Sequence, residues 1–276
     1  MSNIIVPIDF SADSINALEH AIIFAKKSKS KIKMIHVKKS KEFQVPDYFK
    51  DIDRFYGNTV EDYMVTLTNK YKTKVTLEYE ITEGKVYKEI CNKALLDGSE
   101  IIIMGTHGIS GFEEFWIGSN SYRVVNNALC PVLTIRNGYL NTEIKKIVVP
   151  IDSTNETNLK IPYTSKVAKY FNAEIHLISL NTSNSKSSHD KITDSQQKAF
   201  EHITRDGVKC IRDGLFGSNI TETTIEYAIN IDAQLISIMT EQVYSTKNLW
   251  MGNFAQQMVN HSPIPVISFN STINFL

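Results

Sequence analysis

Three glycines and a run of small polar residues form the stretch of this chain whose spacing best suits ligand chemistry. Gly105 and Gly108 flank Thr106 and His107, and Gly118 comes after nine intervening residues, with Ser119, Asn120 and Ser121 directly behind it. Ile101, Ile102, Ile103 and Met104 precede them as an uninterrupted apolar run, which reads as a strand buried on both faces. Val124, Val125 and Ala128 repeat at helical spacing, so the Gly-Ser-Asn-Ser run opens a helix. A glycine after a parallel strand lets backbone come close to a ligand, and the unpaired N–H groups and positive dipole end of a helix start favour phosphate. Ser119 and Ser121 would add hydroxyl donors. The stretch has neither Gly-Lys-Ser/Thr nor G-x-G-x-x-G, which excludes a Walker-type loop and a dinucleotide fingerprint. A plainer reading assigns the glycines to turns and Ser119 to a helix cap, but capping alone does not ask for two earlier glycines.

Other residues are weaker candidates. Asp9 follows the apolar run at residues 4–8; an Asp there is often a helix cap, and its coincidence with the glycine loop makes it a ligand candidate. His107 lies between two glycines without a partnered nucleophile and reads as a loop residue. Arg123 suits phosphate chemically, yet it lies a turn inside the helix and reads first as solvent-facing. His36 reads as a half-buried strand histidine, and the other histidines lack metal-ligand spacing. Met34 and Met104 read as core residues. The three cysteines, Cys91, Cys130 and Cys210, are too few and too scattered for a disulfide framework or a zinc site, which fits a reducing compartment.

The arrangement Gly105-x2-Gly108-x9-Gly118-Ser119 resembles the nucleotide-binding signature of the ATP-binding branch of the universal stress protein family. That resemblance implies ATP, or another adenine nucleotide, possibly bound with Mg. It places the turn of Pro7, Ile8 and Asp9 against the adenosine, with the Asp9 carboxylate near the ribose or a nucleotide-bound metal. Val37 would read the adenine edge through its backbone. Gly105 and Gly108, next to Met104, would approach ribose and phosphates, and Gly118, Ser119, Asn120 and Ser121 would hold the phosphates.

The elements that must position these residues alternate between strand and helix. Strands are expected at residues 4–8, 32–37, 75–81, 101–104 and 131–135. Helices are expected from Ser11 or Asp13, over 58–71, from Val86 to a stop at Gly98, and from Asn120; residues 38–57 read as a loop with some helical content. Such alternation argues for an α/β fold with an open parallel sheet covered on both faces, Rossmann-like in type, and its ligand crevice lies beyond the strand carboxyl ends. By resemblance it is adenine nucleotide alpha hydrolase-like.

The second half repeats the first. KIVVPID at 146–152 matches NIIVPID at 3–9 with a shift of 143, and residues 236–239 match 101–104 with a shift of 135. Trp250-Met-Gly252 repeats Trp116-Ile-Gly118, which suggests a shared packing or interface role for the tryptophans. Self-similarity at this length means duplication, giving domains at 1–140 and 141–276. The copy lacks the glycines: Thr240 stands for Gly105, Val243 for Gly108, Asn253 for Ser119 and Ala255 for Ser121, with a loop one residue shorter. Residues 181–191 read as a polar loop. The apolar fifth strands, at 131–135 and 265–269, would be aggregation-prone if left open, and the short linker at 137–145 favours their pairing into an intramolecular pseudo-dimer. Related tandem proteins suggest a further homodimer of chains.

Composition narrows the partners. Of 276 residues, 30 Lys and Arg balance 30 Asp and Glu, so no net field favours nucleic acid or an anionic membrane. No apolar stretch approaches the length of a membrane span, and no leader pattern opens the sequence, so a cytoplasmic location is expected. The function expected is a stress-response module that binds ATP in its N-terminal domain without hydrolysis or with very slow hydrolysis. The alternatives are a slow ATP hydrolase and a nucleotide-free interaction protein.

Overall fold

The computed structural model describes residues 2–38, 59–106, 118–136, 138–181, 186–216, 219–240 and 253–272. The chain divides into two compact units, Met1–Leu140 and Asn141–Leu276.

In the first unit the order is β1 (Asn3–Pro7), α1 (Ala12–Ser28), β2 (Lys31–Lys38), α2 (Val60–Tyr71), β3 (Leu77–Glu83), α3 (Val86–Leu96), β4 (Ile101–Gly105), α4 (Ser119–Asn127) and β5 (Val132–Ile135). The strands pair in parallel in the order β3-β2-β1-β4-β5. Ile4, Ile5 and Val6 of β1 and Ile101, Ile102 and Ile103 of β4 are fully buried, which explains runs with no polar alternation. Each such side chain contributes about 1.5–3 kcal/mol by leaving water. β3 runs to Glu83 rather than stopping at 81, because its pairing with β2 continues to Lys38.

Helix ends follow local chemistry. Ser11 caps α1 by accepting from the Ser14 N–H, and Lys29 ends it in the left-handed conformation (φ 57°). Thr59 and Asp62 form a reciprocal capping box on α2. Gly98, with φ +57°, stops α3 as its position predicts. Ala17, Ala21 and Ala25 are buried on α1, and their small side chains let it lie close to the sheet.

The second unit repeats the plan: β6 (Lys146–Ile151), a 3-10 turn (Asn155–Asn158), α5 (Ile161–Phe171), β7 (Glu174–Asn181), α6 (Lys186–Arg205), β8 (Cys210–Phe216), α7 (Ile220–Asn230), β9 (Leu235–Met239), α8 (Asn253–His261) and β10 (Val266–Phe269). Its parallel order, β10-β9-β6-β7-β8, is the same winding.

Two further expectations change. Within the stretch read as a polar loop, residues from 186 onward are helical. The buried face of α6 is set by Ile192, Ala199 and Ile203, while Ser187, His189, Asp190 and Lys191 are exposed on its first turns. Polarity there marks a solvated helix face rather than a break.

The shift between the two fourth strands is also 134, not 135. Ile102 pairs with Val132 and Ile236 with Val266, while Ile5 pairs with Ile102 and Val148 with Ile236. Met239 therefore holds the place of Gly105, and Thr240 that of Thr106. The same shift carries Gly108 to Gln242 and Gly118 to Gly252, so the two loops are equal in length. Apolar strands of similar composition hide a one-residue slip from sequence matching, whereas backbone pairing reveals it.

Candidate functional site

The strand order of the first unit reverses between β1 and β4, and the sequence-derived residues gather at the carboxyl ends of these two strands. Ile8 continues from β1 by donating its N–H to the Ile35 carbonyl at 2.8 Å. Asp9 follows, and its Oδ1 accepts from the Ser11 N–H at 3.1 Å and the Ser11 hydroxyl at 2.6 Å. Between them Phe10 is almost fully buried in the left-handed region (φ 63°), a conformation costly for a residue with a side chain. Its ring lies 5.0 Å from that of His36 and 5.5 Å from that of Tyr63. His36 donates from Nδ1 to the Ile8 carbonyl at 2.8 Å, since a carbonyl can only accept.

β4 ends on Gly105, whose position has a packing cause. A Cβ there would lie 2.8 Å from the Cβ of Asp13 and 3.0 Å from its backbone carbonyl, so only glycine lets the first turn of α1 rest against the end of β4. In the second unit Met239 fills this place, and the residues corresponding to the start of α1 form the 3-10 turn instead, with α5 starting only at Ile161.

Two hydrogen bonds join β4 to α4. The Gly118 N–H donates to the Thr106 carbonyl at 2.7 Å, and the Ser121 hydroxyl to the Gly105 carbonyl at 3.0 Å. Gly118 is the N-cap of α4 and, as a glycine, has no side chain of its own to cap that helix. The first N–H groups of any helix need a partner from outside it, and at a glycine N-cap an anion can supply that partner.

The individual residues differ in what they can offer. Ser119 is exposed and Asn120 half-buried, whereas Ser121 is buried with its proton committed to Gly105. Ile8, Val37 and Met104 are buried, so they can meet a ligand only through backbone. Pro7 ends β1 and is half-buried. Arg123 is exposed and stacks its guanidinium 5.4 Å from the Tyr87 ring, as a solvent-facing arginine would. Gly108 and His107, like Trp116, Trp250, Val243 and Gly252, lie outside the described residues. Among the described residues no cluster of three or more His, Cys, Asp and Glu could hold a metal, so a metal at Asp9 would have to come with a phosphate ligand. Burial pushes the thiol of the core residue Cys130 up to about 12 and that of the half-buried Cys91 up to about 11, which keeps both unreactive.

The Asp9 turn recurs in the second unit. Asp152 Oδ1 accepts from the Thr154 N–H at 2.8 Å and the Thr154 hydroxyl at 2.5 Å. Because the half that lacks the counterparts of Gly105 and Gly108 keeps this turn, its hydrogen bonds serve the chain reversal in both halves. Sequence reasoning named Asp13 only as a possible helix start and Thr106 only as a loop residue, and missed what they do at the end of β4. An Asp two residues after the cap Ser11 gives no hint that its backbone touches β4.

A parallel sheet wound 3-2-1-4-5, with helices between its strands, defines a doubly wound α/β protein. The model of the universal stress protein family matches residues 1–136 and again 143–269, and the chain belongs to that family, whose members serve in stress responses. Universal stress protein YxiE of Bacillus subtilis is 30% identical over 148 residues, covering 49% of this chain and 99% of that protein. Universal stress protein MJ0577 of Methanocaldococcus jannaschii is 27% identical over 151 residues, covering 48% of this chain and 93% of that protein. Among solved structures, a universal stress protein from Archaeoglobus fulgidus shares the fold across 97% of this chain and 96% of its own, with TM-score 0.72 and 18% identity. A putative universal stress protein from Pseudomonas aeruginosa does so across 98% and 93%, with TM-score 0.71 and 15% identity. Among the described residues no helix is long and apolar enough to cross a membrane.

Proposed function

We propose that the protein binds ATP, or another adenine nucleotide, in its N-terminal unit and acts as a nucleotide-responsive module of the stress response. The observation that carries this reading is the start of α4, whose N-cap is a glycine with no capping side chain of its own, held to the end of β4 at the switch point and followed by Ser119 and Asn120. The N–H groups of Ser119 and Asn120 and the Ser119 hydroxyl would take the phosphates. The Val37 backbone would meet the adenine edge, and Asp9 would face the ribose or a nucleotide-bound Mg. Ser121 supports from beneath, by fixing the Gly105 carbonyl. Magnesium would neutralise phosphate charge on the nucleotide.

The module reads as a binder with no hydrolysis or very slow hydrolysis, because no side chain at the described part of the site is placed as a base for an attacking water. The C-terminal unit, with Met239 for Gly105 and Asn253 for Ser119, is read as not binding nucleotide. The experiment is mass spectrometry of small molecules released from the freshly purified protein, with steady-state phosphate release measured in parallel. An adenine nucleotide near one per chain with negligible turnover is expected. Steady turnover would favour the hydrolase, and a protein that neither carries nor takes up nucleotide would favour a pure interaction module.

A further inference from the structure

The C-terminal unit carries a sealed lysine where the N-terminal unit has an alanine. The shift of 143 that matches β6 to β1 carries Asp9 to Asp152, Ser11 to Thr154, Ser14 to Thr157 and Ala17 to Lys160. The first three pairs keep their chemistry, and the fourth exchanges a methyl group for an ammonium. Lys160 is 1% exposed. Its Nζ donates to the carbonyl of Thr157 and, at 3.3 Å, to the Thr157 hydroxyl. That hydroxyl also accepts from the Asp152 N–H at 3.2 Å, so a continuous set of hydrogen bonds runs from the end of β6 to the ammonium.

Among the described residues the surroundings supply little other charge. β9 presents Ser237, whose hydroxyl lies 2.7 Å from that of Thr164 on α5. α6 presents the Ser195 carbonyl to Asn158 at 3.1 Å, while its Asp194 and Lys198 pair with each other at 2.6 Å on its exposed side. Among the described residues, Asp152 is the charged group that acts on Lys160. An ammonium so buried is retained at a cost unless it is paired, and one carboxylate and one threonine offset it only in part.

We propose that Lys160 is the internal cation of the C-terminal unit: its ammonium, sealed against Thr157 beside the Asp152 turn, closes the carboxyl end of β6 in place of an external ligand and makes that turn proton-sensitive. The inference does not depend on nucleotide binding by the other unit. Burial pulls the Lys160 ammonium down from 10.5 to about 8, against the pull of Asp152. The sign follows. Below about pH 8 folded and unfolded chains both hold the proton, and the cost of burying it is constant. From about 8 to 10.5 the unfolded chain still holds the proton and the folded one releases it, so stability attributable to this group rises with pH. The Cys91, Cys130 and Cys210 thiols, all raised by burial, act oppositely over much of the same range. Only a difference between variants therefore isolates Lys160.

The experiment is urea unfolding of the full chain, wild type against Lys160→Met, at pH 7 and at pH 10.5. The variant keeps the apolar stem and is expected to be more stable at pH 7, by on the order of a hundredfold in the folding constant, with the advantage largely gone at pH 10.5. An advantage that does not change with pH, or a variant less stable at pH 7, overturns the proposal. Should the variant fail to fold, the wild-type chain labelled at lysine 13Cε reports directly. The Lys160 resonance is expected to titrate near pH 8, well below the exposed lysines, and to stay in place when ATP or inorganic phosphate is added. Titration alongside the exposed lysines, or movement on ligand addition, overturns it.

Discussion

Ser119 and Ser121 stand two positions apart on one helix start, yet their hydroxyls face different partners. Ser121→Ala would leave the buried Gly105 carbonyl short of a donor, so a loss of about 1–3 kcal/mol is expected in urea unfolding. Ser119→Ala touches only an exposed hydroxyl; its stability should stay within about 0.5 kcal/mol of wild type while ATP binding weakens. The reverse pattern would mean that the two roles have been exchanged. Gly105→Ala should cost about 1–3 kcal/mol through overpacking against Asp13, independent of any ligand, and the same unfolding measurement tests it. The sequence revealed that this position needed a glycine. It did not reveal why, because the crowding atoms are the Cβ and backbone carbonyl of a residue ninety-two positions away in the chain. Likewise Ser119 and Ser121 look equivalent as letters, and only helix geometry turns one inward.

At the scale of elements, strands buried on both faces and helices with regular apolar stripes were legible because burial writes a period into the sequence. The start of α6 was not, since its first turns bury almost nothing and a solvated helix resembles a polar loop in composition. Lys191→Pro tests this: inside a helix it removes a hydrogen bond and clashes with the preceding turn, at about 3 kcal/mol or more. Tolerance of proline there, read as an unchanged urea midpoint, would place residue 191 in a loop. The one-residue slip between the two fourth strands was equally hidden, because Ile-Ile-Ile-Met and Leu-Ile-Ser-Ile-Met align almost as well in either register. Its consequence is physical. With Met239 at the end of β9, the C-terminal unit has no room for a helix turn as close as the one α1 lays on Gly105.

For the molecule as a whole, duplication was plain from KIVVPID and NIIVPID, and the family model matches both halves. What divides the halves is the content of their strand ends: a helix start with a glycine N-cap and an exposed serine in one, a sealed ammonium in the other. Residues 1–140, expressed alone and sized by light scattering, test the expected pairing through the fifth strands, which a soluble stable monomer would contradict. If that fragment folds, it should still bind ATP. In the full chain, ATP at 100 times its dissociation constant should add about 2.7 kcal/mol to the stability of the N-terminal unit. The central claim, one nucleotide in the N-terminal unit, is tested most directly by calorimetric titration of the full chain with ATP and Mg, repeated for Ser119→Ala and Asn253→Ala. One site per chain is expected, weakened by the first substitution and unchanged by the second. Two equivalent sites, no binding, or equal losses from both substitutions would contradict it.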